Sequence, residues 1–221
     1  VTLSSGSSVD SSMGGSTLIS GGSVSVQSSD SDLVSGDVKF MSGSSSDRSG
    51  AVSIASGSTK SGASGELTLA TGNSEEQAGS VVLQAGSGSS VSGSVRLFGG
   101  DGMDGHGGDV MLASGKGSSL TKNSGNIVIA SGKSMQRSGY VQVASASGAS
   151  SGDLRLSTGD ATDGQVGNIM INSGASALSQ ASSVSIGAGK AAAAQGGNVH
   201  LASGDGLSGG NLLQKAGDGS D

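Results

Sequence analysis

The residues best placed to do chemistry lie in one stretch, Asp101-Gly102-Met103-Asp104-Gly105-His106-Gly107-Gly108-Asp109. Asp101, Asp104 and Asp109 alternate there with glycines that permit tight turns. Oxygen donors on a tight turn suit a hard cation such as Ca²⁺. The spacing is not that of an EF-hand loop, and it lacks the full Gly-Gly-x-Gly-x-Asp nonapeptide of calcium-binding β-rolls. Asp160, Asp163 and Asp205 sit in similar Gly-Asp contexts. Asp and Gly also form good turns without a metal, since Asp bonds nearby backbone and Gly accepts positive φ. The expectation is no cofactor, with Asp101, Asp104 and Asp109 as the weak Ca²⁺ candidates.

Nothing in the chain reads as catalysis. His106 and His200 are far apart in sequence, and none of the many serines sits in a nucleophile elbow. No glycine-rich segment follows the full phosphate-loop pattern ending in Gly-Lys-Ser/Thr. A row of short polar residues, Asp37, Glu66, Asp109, Asn126, Asp153, Asn168, Asn198 and Asn211, directly precedes aliphatic residues. That row reads either as a sugar- or metal-binding stripe or as side chains that satisfy backbone groups where a strand begins.

What positions these residues is a repeated phrase. Its clearest copy is Ser64-Gly65-Glu66-Leu67-Thr68-Leu69-Ala70-Thr71-Gly72. The pattern is small-Gly-polar-aliphatic-x-aliphatic-x-Ser/Thr-Gly. From residue 38 the pairs are Val38/Phe40, Val52/Ile54, Leu67/Leu69, Val81/Leu83, Val95/Leu97 and Val110/Leu112. They continue as Ile127/Ile129, Val141/Val143, Leu154/Leu156, Ile169/Ile171, Val184/Ile186 and Val199/Leu201. Most steps are 14 or 15 residues. Self-similarity at a fixed period is the mark of a repeat architecture.

Residues i and i+2 of a strand share one face. Each pair is therefore expected to point inward and form the core, with Lys39, Arg96, Gln142, Arg155 and their equivalents outward. β-branched residues at the inward positions favour strand over helix. A small residue and then a glycine usually follow the pair, and polar segments such as Ser44–Arg48, Asn73–Gln77, Lys116–Asn123 and Asp160–Gln165 read as surface turns.

The expected fold is all-β: a parallel β-solenoid of stacked coils built from 14–15-residue strand-turn phrases, with two phrases to a coil facing each other. A one-phrase coil and an antiparallel meander remain open alternatives. The expected organisation is irregular N-terminal repeats over 1–36, a regular array over 37–213, and a tail or truncated repeat over 214–221. The array is already in mid-phrase at Val1-Thr2-Leu3, so the sequence is expected to be a mature product or an excerpt of a longer array.

Composition narrows the function classes. Of 221 residues, 43 are glycine, while proline, cysteine and tryptophan are absent and the only aromatics are Phe40, Phe98 and Tyr140. Such a chain can build only a thin aliphatic core. A net charge of −6 with so few aromatics argues against nucleic acid. No run of about 18 apolar residues exists to span a membrane. No Asn-x-Ser/Thr sequon is present, so any sugars would be O-linked, on the abundant hydroxyls.

The phrase resembles those of Gly/Ser-rich tandem-repeat β-solenoid proteins of extracellular and cell-surface filaments, of the stramenopile-algal type, and similar phrases occur in viral fibres. Ser49-Gly50-Ala51-Val52-Ser53-Ile54-Ala55-Ser56-Gly57 and Gly197-Asn198-Val199-His200-Leu201-Ala202-Ser203-Gly204 carry the resemblance. It implies an extracellular or cell-surface structural protein, not an enzyme, whose partners are copies of itself or neighbouring filament subunits, with covalent O-glycans as an addition. The alternative is an adhesin or recognition fibre that binds glycans or a surface through its turns. Ice binding ranks third, because Lys39, Arg96, Gln142 and Arg155 interrupt the flat, regular Thr array it needs.

Overall fold

The structure, a computed structural model, describes Leu3 and residues 15–118 and 123–218. Part of the first repeats over 1–36, positions 119–122 of the turn Lys116–Asn123 and the last three residues of the 214–221 segment lie outside the described residues. The chain divides into two units, Val1–Met111 and Leu112–Asp221, and the division falls inside the phrase Val110-Met111-Leu112.

Among the described residues there is no strand and no helix. The expected β-solenoid is therefore corrected: among the described residues neither stacked coils nor a sheet is present, and their backbone is coil punctuated by bends. A ladder requires successive hydrogen bonds between neighbouring phrases. Here the backbone–backbone bonds among the described residues are single closures within turns: Gly93 to Gly86, Gly108 to Gly100, Gly125 to Gly115, Gly197 to Gly189 and Gly210 to Gly204. A folded domain makes roughly one internal hydrogen bond per residue. The physical reason lies in the phrase itself. It brings two aliphatic side chains for 14 or 15 residues rich in glycine, the residue that loses most backbone freedom on ordering.

No hydrophobic core forms among the described residues. The inward placement expected of the aliphatic pairs is corrected at every position. The first members, Val38, Val52, Leu67, Val81, Val95, Val110, Ile127, Val141, Leu154, Ile169, Val184 and Val199, are all exposed. So are the second members, Phe40, Ile54, Leu69, Leu83, Leu97, Leu112, Ile129, Val143, Leu156, Ile171, Ile186 and Leu201, which range from 59% exposed at Leu201 to 71% at Leu156. No neighbouring phrase covers any of these pairs, so among the described residues there is no interior to enter.

The chain exposes 22,772 Å². A folded monomer of 20.8 kDa would expose about 9,000 Å², and a fully unfolded one about 30,000 Å². An alternation survives nonetheless. The first aliphatics Val38 and Val95 are 44% and 52% exposed, whereas the middle residues Val82 and Met111 are 76% and 86% exposed. The two faces of the phrase are thus distinct, although nothing covers the less exposed one.

What organises many of the repeats is a neck. The glycine after one phrase meets the glycine before the next: Gly93 N–H donates to the Gly86 carbonyl at 3.0 Å, and Gly108 N–H to that of Gly100 at 2.8 Å. The small residue before the trailing glycine packs beside the leading one, and a Cβ on Gly93 would lie 3.2 Å from that of Ala85. Ser28, Ala85 and Gly99 alone among the described residues are partly buried, and each sits at a neck. Gly99 has no room for a side chain, since a Cβ there would collide with the Gly108 carbonyl.

Candidate functional site

The turns are shaped by serine. Leu33, Asp47, Glu76 and Gln136 each donate a backbone N–H to the hydroxyl of a serine two residues earlier, Ser31, Ser45, Ser74 and Ser134, at 3.2–3.3 Å. Ser179 N–H donates to the hydroxyl of Ser176, three residues earlier, at 3.0 Å. This is the local side chain-to-backbone bonding that draws serine to turns. Sequence reasoning placed the turns but missed the device; a serine two residues before the turn's bulky residue is its signal.

The polar residue ahead of each aliphatic pair behaves differently from the expectation of backbone capping in three phrases. Asp37 pairs with Lys39 at 2.8 Å, and Asp153 with Arg155 at 2.8 Å. Thr68 Oγ1 donates to Glu66 Oε1 at 3.3 Å. Each partner is the middle residue of the same phrase, two positions on, so the polar face closes on itself. Opposite charges at i, i+2 within an alternating segment would have revealed this, because that spacing puts both on one face.

The acidic turn lies between Gly100 and Gly108, whose bond closes it. Gly102 sits tightly against the carbonyls of Gly105 and His106. Asp101 and Asp104 are exposed on this turn and Asp109 is exposed just after it, and among the described residues no group of three or more His, Asp or Glu is gathered that could hold a metal ion. Asp160 and Asp163, which share one turn, and Asp205, in another, are likewise exposed. His106 and His200 are exposed and make no side-chain hydrogen bond among the described residues.

The remaining feature is apolar. Phe40, Val52, Ser53 and Ile54 line a shallow open groove of about 340 Å³. Beside it, Ser42 and Gly50 approach each other across the intervening turn. Two residues further out from that neck, Phe40 and Val52 come to one place. No helix among the described residues is long and apolar enough to cross a membrane. Comparison with known protein families, curated proteins and solved structures yields no match to this chain.

Proposed function

We propose that this chain is a structural component of an extracellular fibre or surface appendage, and that it works by associating with copies of itself. The observation that carries the reading is the uncovered aliphatic face: every pair from Val38/Phe40 to Val199/Leu201 remains in contact with solvent. Soluble monomers rarely leave apolar patches beyond a few hundred Å² open, and larger ones mark interaction surfaces. The area exposed here exceeds that of a folded chain of equal mass by far more than the roughly 1,600 Å² of a standard interface.

A second copy is the occupant that fits. It carries the same aliphatic pairs at the same 14–15-residue step, so the uncovered apolar residues of one copy can cover those of another. The polar face, with Asp37–Lys39 and Asp153–Arg155 paired within their own phrases, stays toward water. The exposed serine and threonine hydroxyls are open to O-linked sugars, which suits an extracellular place. This reading assigns the chain no catalysis and no cofactor.

Sedimentation velocity over a concentration series, with electron microscopy of the same samples, tests it. Growth into multimers and elongated assemblies with rising concentration is expected. A chain that stays monomeric at the highest soluble concentration overturns the reading, and glycan binding by that monomer would put the adhesin alternative in its place.

A further inference from the structure

We infer that Asp163-Gly164 is a self-modifying junction, where the chain converts aspartate to isoaspartate through a cyclic imide faster than at the other Asp-Gly pairs among the described residues. The reaction needs no partner and does not depend on self-association.

The chemistry requires only the chain and water. The backbone nitrogen of Gly164 attacks Cγ of the protonated Asp163 carboxyl. A C–N bond forms, the C–O bond to the hydroxyl breaks, and the hydroxyl leaves as water with the amide proton. The five-membered imide then takes up one water. Opening at Cγ restores aspartate. Opening at the former backbone carbonyl leaves the main chain running through Cγ, one methylene longer. Nothing is oxidised or reduced, and the net charge is unchanged.

Attack needs an unshielded nitrogen and a backbone free to swing it onto the carboxyl. Glycine supplies the first, having no Cβ. Among the described residues aspartate precedes glycine at Asp101, Asp104, Asp163 and Asp205, and all four are exposed. None of the four makes a side-chain hydrogen bond or ion pair among the described residues. What separates them is backbone freedom, and an intramolecular reaction is as fast as its atoms reach attack geometry.

Asp101 and Asp104 lie inside the neck closed by Gly108 N–H on the Gly100 carbonyl at 2.8 Å. Gly102 is pressed against the carbonyls of Gly105 and His106, whereas Gly105 has nothing within 4 Å of where its Cβ would be. Asp205 lies inside the neck closed by Gly210 N–H on the Gly204 carbonyl at 2.9 Å, and a Cβ on Gly206 would lie 3.2 Å from the Ser208 carbonyl oxygen. The turn from Thr158 to Gly167 has no backbone bond closing it among the described residues. Gly164 there has a φ of +132°, which L side chains rarely adopt, and nothing within 4 Å of where its Cβ would be. Asp163 thus combines a bare nitrogen with an unfastened turn. Asp160 in the same turn precedes Ala161, whose Cβ shields the nitrogen, and provides a slow comparator.

The test incubates the full chain in mildly acidic buffer, too dilute to assemble, and samples it over weeks. Peptide mapping with electron-transfer fragmentation distinguishes aspartate from isoaspartate at each site. Isomerisation at Asp163 should outpace that at Asp101 and Asp205 about two- to tenfold, since a backbone hydrogen bond of that net value must open there first. Asp104, inside a neck but beside the open Gly105, should fall between. Gly164→Ala should slow Asp163 to the level of Asp160. Gly99→Ala, which puts a Cβ against the Gly108 carbonyl, should raise the rate at Asp101 and leave Asp163 unchanged. In concentrated urea the four rates should converge. Equal rates in native buffer, a faster rate at Asp101 or Asp205, or an order that persists in urea would overturn the assignment. So would an Asp101 that does not respond to Gly99→Ala, or an Asp163 that does not respond to Gly164→Ala.

Discussion

Two consecutive turns differ in one residue that matters. The turn from Thr71 to Gly79 and the turn from Ala85 to Gly93 span the same number of residues. In the second, Gly93 N–H donates to the Gly86 carbonyl at 3.0 Å, and the Ala85 Cβ lies 3.2 Å from where a Gly93 Cβ would sit. In the first, Thr71 Cγ2 stands 3.5 Å from the equivalent point on Gly79. There the Thr71 hydroxyl donates to the Gly79 carbonyl at 3.2 Å. Alanine lets the two backbones touch, whereas threonine holds them a few tenths of an ångström further apart and bridges the gap with its side chain. The pattern recurs. Ala188 accompanies the backbone bond from Gly197 to Gly189, and Ser173 closes its turn by donating to the Ser182 carbonyl at 3.0 Å. Serine accompanies either closure, since Ser114 and Ser203 stand beside the backbone bonds from Gly125 to Gly115 and from Gly210 to Gly204.

The strongest way to break this contrast is at a neck with no spare room. Gly99→Ala places a Cβ against the Gly108 carbonyl, so the backbone must shift and the Gly108 to Gly100 bond is lost. Amide hydrogen exchange at Gly108 should return to the rate of an unprotected glycine. Unchanged protection there would refute the neck. Exchanging the two closures tests the comparison itself. Ala85→Thr should speed exchange at Gly93 about two- to tenfold, the net value of one backbone hydrogen bond. Thr71→Ala should slow it at Gly79 by a similar factor. If neither rate moves, the trailing small residue does not choose the closure.

A more local effect is expected at Gly62, in the turn where Thr59 Oγ1 donates to the Ser61 carbonyl at 2.7 Å. Its φ of +93° is one that L side chains rarely adopt, yet nothing lies within 4 Å of where its Cβ would be. Gly62→Ala should therefore act through backbone strain alone, worth about 1–2 kcal/mol. A three-bond HN–Hα coupling that reports negative φ at the new alanine, with loss of the Thr59 bond, is the expected result. A coupling that still reports positive φ would mean the surrounding turn dictates the conformation.

These turns were legible in the sequence, and so were the two faces of the phrase. Val38 and Val95 are less exposed than Val82 and Met111, as period-two alternation requires. Stacked coils did not follow, and neither did a core: Leu83, Leu97 and Ile129 stand as open to solvent as Ile171 and Ile186. A repeat such as Leu67-Thr68-Leu69 states which side chains share a direction, but not what lies opposite them. A β-branched run favours extended backbone, yet a ladder needs a partner strand within hydrogen-bonding distance. The single bonds from Gly93 to Gly86 and from Gly210 to Gly204 fasten a turn without continuing into a ladder. The acidic turn shows the same limit. Asp101, Asp104 and Asp109 are near in sequence, but gathering their carboxylates depends on side-chain directions around Gly102 and Gly105 that composition does not encode.

The gentlest perturbation belongs on the outer face. Lys39 and Asp37 meet at 2.8 Å with both side chains mostly exposed, and exposed pairs contribute little because solvent screens them. Asp37→Asn should leave amide exchange at Gly93 and Gly108 unchanged and shift only the Lys39 side-chain resonances. Raising the salt on the unaltered chain should move those same resonances in the same direction, since the Debye length falls to about 3 Å at 1 M. Arg155, paired with Asp153 in the other unit, should respond in the same way. If Asp37→Asn instead loosened the necks, the outer pairs would be part of what fastens the repeat. If it leaves them intact, the fastening resides in the small trailing residues and the glycines that face them.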